Sequence, residues 1–136
     1  MAQTRQKSLV LILAREFASN LATPLFVVDP EGTLVFYNEP AEAVLGRRFA
    51  ESGELSADEW SKIFTPSDLD GSPLPLEELP LGVALAERRP AHRPLRIKGL
   101  DGVDRTIAVT AFPLFARADE FVGAVAIFWE EARPGA

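Results

Sequence analysis

The segment DPEGTLVFYNEPAEAVLG, residues 29–46, constrains the fold more tightly than any other part of the chain. Asp29-Pro30-Glu31-Gly32 puts Asp, Pro and Gly at the first, second and last positions of a type I turn. The apolar runs on either side, PLFVVD and TLVFYN, therefore read as two strands that double back on each other. Asn38 stands where a helix N-cap belongs, and Glu39 and Glu42 fall in the first turn, at the positive end of the helix dipole. With Gly46 as a left-handed stop, these residues predict a helix over 39–45. The stretch holds Asp29, Glu31, Glu39 and Glu42 without a His, Cys or Lys beside them. Turn formation and helix-start charge account for these acids more economically than acid–base catalysis does.

With 136 residues, 47% of them hydrophobic, the chain has material for one domain with a substantial core, and two domains would each be small for independent stability. A net charge of −6 argues against a nucleic-acid partner, because binding phosphates requires a basic face, and the pairs Arg47-Arg48 and Arg88-Arg89 are too short to reverse it. The absence of cysteine excludes disulfides, thiolate nucleophiles, iron–sulfur clusters and Cys-type zinc sites, and the single histidine, His92, leaves no His cluster for a metal. The run LVLILA near the N-terminus is flanked by Lys7 and Arg15-Glu16. It is far shorter than the roughly 20 residues of a membrane span. No small-residue cleavage site follows it, so a cytoplasmic protein with no membrane partner is expected.

Along the chain, Leu9, Leu13, Phe17 and Leu21 recur every fourth residue between Thr4 and Asn20, with Val10, Ile12 and Ala14 widening the stripe. This pattern predicts an amphipathic helix that Thr23-Pro24 terminates. Ser56 and Glu59 form a capping box, and Leu55 and Trp60 occupy the positions of a hydrophobic staple, which predicts a helix over 57–64. TPSDLDGSPLPLEELP is rich in turn formers, and LGVALAERR after it reads as a helix with cations in its last turn and Pro90 as its stop. RPLRIKG, RTIAVTAFPLF and FVGAVAIFW are strand patterns, the first two joined by the turn GLDGVD and the last two by ARADE. Strands and helices fall in separate runs without βα alternation, so the fold class is α+β with an antiparallel sheet. The expected organisation is an N-terminal helix over 1–20, a domain over 21–131 and a tail over 132–136.

This order resembles the PAS domain family. The stretches that carry the likeness are VVDPEGTLVFYNEPAEAVLG, DLDGSPLPLEELPLGVAL, GLDGVDRTIAVTAFPLF and FVGAVAIFWE, which together span about residues 20–131. The resemblance implies a five-stranded antiparallel sheet in the order 2-1-5-4-3 with short helices on one face. It also implies a sensory or signalling module, and the N-terminal helix is similar to the extra helix that often precedes this fold. Flavin-photoadduct members need a cysteine that this chain lacks, and haem-binding members place a histidine on the long helix, where LGVALAERR has none. A cysteine-linked flavin is thereby excluded, haem is disfavoured, and the identity of any cofactor stays open. WEEARPGA lacks the family's usual Asp-Ile-Thr junction, so an effector acting in trans is expected.

If the family's register holds, Phe26, Val28, Leu34, Phe36, Leu95, Ile97, Ile107, Val109, Ala111, Ala124, Ala126 and Phe128 face the helices and line the place of a small apolar ligand. A simply packed core is the alternative, since few polar groups converge there. Thr65, Ser67 and Asp68 are candidate polar rim groups. Val125, Ile127 and Trp129 face the other way, with Ala108, Thr110 and Phe112 beside them. An apolar sheet face of this size needs a cover, and the stripe Leu9, Leu13 and Phe17 is the nearest candidate. It serves either as a lid on its own sheet or as one half of a two-fold homodimer interface, and the breadth of the stripe favours the homodimer. Asp68-Leu69-Asp70 resembles half of a calcium loop, but the glycine and terminal acid are misplaced and prolines interrupt it. No Ser-His-acid or Lys-centred arrangement is visible, so the expected activity is noncovalent recognition rather than catalysis. Two functions stay open: a sensor of a small apolar ligand, and a ligand-free scaffold for dimerisation or protein recruitment.

Overall fold

A computed structural model describes residues 9–117 and 119–131. The first residues of the helix expected from Thr4, and the expected tail over 132–136, lie outside the described residues. Helix α1 covers Leu9–Ser19, followed by strands β1 (Leu25–Val28) and β2 (Leu34–Tyr37). Three short helices come next: α2 (Glu39–Leu45), α3 (Phe49–Ser52) and α4 (Ala57–Ile63). A 3-10 turn at Leu76–Glu78 leads into α5 (Pro80–Glu87). Strands β3 (Ala91–Lys98), β4 (Asp104–Arg117) and β5 (Glu120–Glu130) complete a wholly antiparallel sheet in the order β2-β1-β5-β4-β3.

The turn between β1 and β2 forms as its residues dictate. Gly32, at φ +88, donates its N–H to the Asp29 carbonyl, and Asp29 Oδ1 accepts from the N–H groups of Glu31 and Thr33. Both caps of α2 are present, with Asn38 accepting from Ala41 N–H and Gly46 in the left-handed region. The capping box of Ser56 and Glu59 is closed in both directions. Two elements differ from their expected form. Helix α5 stops at Glu87 because Arg88 itself turns left-handed (φ 55), so its cations lie beyond the last turn rather than in it. The 3-10 turn falls in the stretch read from sequence as rich in turn formers, and helix α3 falls in a stretch that carried no assignment.

The sheet is packed on its inner face and partly covered on its outer face. Against its inner face pack α2, α4, α5 and the segment between α4 and α5, enclosing the larger apolar cluster, which contains Phe26, Tyr37, Trp60, Phe64 and Phe128. Against its outer face packs α1, where Leu11 and Ala18 meet Leu25, Val27, Val35 and Val125. Full burial of each large side chain contributes about 1.5–3 kcal/mol, so the two clusters dominate the stability of the fold.

Asn38, 1% exposed, joins these layers. Its Oδ1 accepts from Leu25 N–H and Ala41 N–H, and its Nδ2 donates to the carbonyls of Ala18 and Thr23. Replacement by Ala leaves the Leu25 and Ala41 N–H groups and the Thr23 carbonyl without this partner, while the Ala18 carbonyl keeps Leu21 N–H. Asn38→Ala is expected to cost about 3 kcal/mol, combining a lost cap with stranded buried groups. Urea unfolding should show this as a lowered midpoint at unchanged m-value.

Candidate functional site

The strand register decides what lines the inner face. Side chains alternate across a strand, so β3 to β5 present Leu95, Ile97, Ile107, Val109, Ala111, Ala124, Ala126 and Phe128 inward, as the family's register implies. Phe26, Val28 and Leu34 join them from β1 and β2. Phe36 does not. Val27 pairs with Phe36 but Val28 pairs with Leu34, so the register slips and Val35 is an extra residue on β2. That bulge turns both Val35 and Phe36 to the outer cluster, where Arg15 lies over the Phe36 ring at 4.8 Å. Tyr37 takes the inward place instead and stacks on Phe26 at 5.5 Å.

Between the inner face and the helices lies a cavity of about 80 Å³. The sheet supplies Phe26, Leu95, Ile97, Ile107, Val109, Ala126 and Phe128, and the helical side supplies Leu45, Trp60, Phe64, Pro66, Leu79, Pro80 and Leu81. Of the inward set, Val28, Leu34, Ala111 and Ala124 are packed in the core and do not reach the cavity wall. Trp60 is the one wall residue with a side-chain polar atom, and its indole N–H is committed to the Gly32 carbonyl at 2.7 Å. The cavity is thus an apolar space with no hydrogen-bonding group to orient a polar guest. It exceeds the roughly 10–15 Å³ a single water needs. It falls well short of the about 300–1,000 Å³ of drug- and cofactor-sized sites.

Around the cavity, polar groups fasten the walls. Leu100 N–H donates to the Leu45 carbonyl and Arg105 Nη1 to the Val44 carbonyl at 2.9 Å, tying the β3–β4 turn to the end of α2. Arg105 also meets Asp101 at 3.2 Å, and this contact, together with Val103 N–H, holds the Asp101 carboxyl below the usual range. The rim residues read from sequence have structural partners. Ser67 exchanges backbone hydrogen bonds with Arg96, Asp68 pairs with Arg93 at 3.0 Å, and Thr65 sits at φ +48. Asp70 Oδ1 accepts from Ser72 N–H, and this bond with the Ser72 hydroxyl lowers the Asp70 carboxyl below its ordinary value. Among the described residues, no group of three or more His, Cys, Asp or Glu side chains is placed to hold a metal ion. His92 lies on the outer face, with Nδ1 2.7 Å from Thr110 Oγ1 and its ring 6.2 Å from Trp129, away from the cavity. Arg93 was not singled out in the sequence, although its position two residues before Leu95 places it in the same inward row.

On the outer face, the residues expected at an interface separate into two groups. Val125 is 4% exposed beneath α1 of its own chain and Ile127 is half-buried beside it, so the near end of this face is covered in cis. Leu9, Leu13 and Phe17 are 67%, 57% and 63% exposed, and Trp129 is 42% exposed. The stripe expected to cover the sheet therefore points away from it, while Leu11, Ala14 and Ala18 make the contact. Small alanines let the helix lie close to the strands, which leaves the larger residues on its free side.

An antiparallel sheet in this order, cupping short helices around an apolar cavity and carrying a helix on its other face, is an α+β fold of the kind that sensory and signalling modules use. The chain belongs to the PAS fold family, whose model matches residues 18–131. Among solved structures it is similar to the PAS domain of BvgS from Bordetella pertussis, at 15% identity and a TM-score of 0.61, covering 90% of this chain and 86% of that one. It is also similar to the LOV protein of Rhodobacter sphaeroides (18% identity, TM-score 0.68, 89% of this chain and 67% of that one). The PAS domain of nitrogen regulation protein NR(II) from Vibrio parahaemolyticus matches at 16% identity and a TM-score of 0.60, covering 88% and 98%. At these identities the likeness establishes the fold. No curated protein matches the chain by sequence. No helix among the described residues is long and apolar enough to cross a membrane.

Tyr37 provides an internal report on the packing around the cavity. Burial pushes its phenol above the ordinary value, against the opposing effect of the Ser52 hydroxyl, and its OH donates to the Arg47 carbonyl at 2.8 Å. A folded pKa raised above the unfolded one means that stability is fully present below about pH 10 and is lost as pH rises through the folded pKa. Tyr37 is the sole tyrosine, so ultraviolet absorbance reads its ionisation directly. The native protein should ionise above the pH at which the urea-unfolded chain does, and Tyr37→Phe should remove that alkaline loss of stability.

Proposed function

We propose that the chain is a noncovalent sensor that takes a small apolar molecule into the inner cavity and signals through contacts of α1 and the open part of the outer face, as a homodimer or with an effector in trans. The observation that carries this reading is the pairing of an apolar cavity on one side of the sheet with an exposed apolar helix stripe on the other. An apolar guest gains burial without needing an oriented polar partner, and the volume limits it to a few heavy atoms. Such a guest biases the module only where it binds two arrangements of the walls with different affinity. Asn38 supplies a route, since it bonds both to the start of α2, whose last residue Leu45 lines the cavity, and to the last turn of α1.

The exposed stripe sets the second half of the proposal. Leu9, Ile12, Leu13 and Phe17 together form an apolar patch that a second copy of α1 would cover, with Trp129 at the margin of the same face. The small size of the cavity favours a second reading, in which the domain is a ligand-free scaffold for dimerisation and partner recruitment. Native mass spectrometry of protein purified from its source, followed by denaturing extraction, separates the two. A dimer that releases a stoichiometric small apolar molecule supports the sensor, and a ligand-free dimer supports the scaffold. In sedimentation, the wild-type protein should dimerise with concentration, and Leu13→Asp should shift it to monomer while leaving the free energy of unfolding, compared at a concentration where both are monomeric, within about 0.5 kcal/mol of wild type, as befits an exposed site. A wild-type monomer at all concentrations would contradict the dimer.

A further inference from the structure

We propose that residues 66–79 form a hinged strap across the mouth of the cavity, and that Arg93 is the latch that holds it closed. The gating role rests on the reading of the cavity as the ligand site; the latch itself stands on the geometry of the strap.

The strap begins and ends at the cavity wall. Pro66 lines the cavity at one end of the strap and Leu79 at the other, and Leu95 of β3 is a wall residue of the same cavity. Between them the chain makes a small hairpin, closed by Asp68 N–H to the Ser72 carbonyl and Gly71 N–H to the Asp68 carbonyl, and then the 3-10 turn. Gly82 lets α5 lie directly against the Leu76 carbonyl, where a Cβ would collide with the strap backbone. Leu74 is its buried apolar anchor.

Arg93 stands next before Leu95 in the inward row of β3 and pairs in register with Val109, another wall residue. Its guanidinium reaches Asp68 at 3.0 Å and Glu78 at 3.8 Å. Those two acids flank the wall residues at either end of the strap, so one side chain on the sheet fastens both ends across the mouth. The side chains are 31%, 40% and 56% exposed, which makes the fastening screened by salt and releasable rather than locked. Thr65, just before the strap, holds a β-branched residue at φ +48, a strained conformation that suits a hinge.

The test uses xenon as the guest and reads its exchange with the cavity by hyperpolarised xenon NMR, alongside amide hydrogen exchange. Arg93→Ala should speed xenon exchange roughly fivefold, the factor that corresponds to a strong exposed ion pair. The double variant Asp68→Asn, Glu78→Gln, which keeps Arg93, should do the same, and added salt should speed the wild type but not the variants. In both variants the N–H groups of Asp68, Gly71 and Leu74 should exchange faster while those of Phe26 and Ala126 in the central strands stay unchanged. Saturable xenon binding with unaltered exchange rates and unaltered strap amides would overturn the latch and leave the ligand site standing. Failure of the wild-type protein to bind xenon, with strap amides that do respond, would overturn the gate and leave Arg93 as a clamp on the strap.

Discussion

Asn38 sits at the point where β2 ends and α2 begins, and all four hydrogen-bonding positions of its buried amide are filled by backbone groups from elsewhere in the chain. Leu25 N–H fixes the start of β1, Ala41 N–H the first turn of α2, and the Ala18 and Thr23 carbonyls the end of α1 and the link into the sheet. No apolar contact could substitute, because the Leu25 and Ala41 N–H groups and the Thr23 carbonyl lie where the chain changes direction and are met there by Asn38, while the Ala18 carbonyl accepts from both Asn38 and Leu21 N–H. With that junction set, β1 lies between β2 and β5 and α1 lies across the outer face of the sheet. The two faces are therefore joined through a polar residue inside an otherwise apolar molecule.

The division between the faces follows from strand parity. One set of residues on β3 to β5 encloses the cavity with the helices and the alternate set meets α1 or stands open. Polar fastenings lie at the margins of the cavity rather than in it: Trp60 to the first turn, Arg105 to the end of α2, Arg93 to the strap. This arrangement leaves the interior free of oriented donors while holding its walls in place. The edge of β3 is also occupied, since Arg96 bonds to Ser67 and Lys98 N–H to the Phe64 carbonyl, so the strap that closes the cavity covers an edge open to unwanted pairing.

The segment from Leu25 to Gly46 was legible in the sequence because its signals are local: Asp29 and Gly32 make the turn, and Asn38 and Gly46 bound the helix. Alternation, with the register that the family resemblance implies, placed the inward residues of three strands. Phe36 was misplaced because a bulge obeys sheet twist and leaves no local mark in TLVFYN, and one extra residue reverses every side chain after it. The face of α1 was misread because residue size suggested Leu9, Leu13 and Phe17, whereas close approach to a sheet selects Leu11, Ala14 and Ala18. Arg93 was passed over since its role depends on Asp68 and Glu78, which reach it only when the strap has folded back over β3.

The central claim is that an apolar guest in the inner cavity is felt at α1 on the far side of the sheet. Methyl-resolved NMR during a titration with propane measures both ends at once. The expected result is saturable shifts at the Leu45, Leu95 and Val109 methyls with one common affinity, accompanied by shifts at Leu13. Silent cavity methyls at saturating propane would contradict the account at its root, and cavity shifts with an unmoved Leu13 would remove the coupling between the two faces.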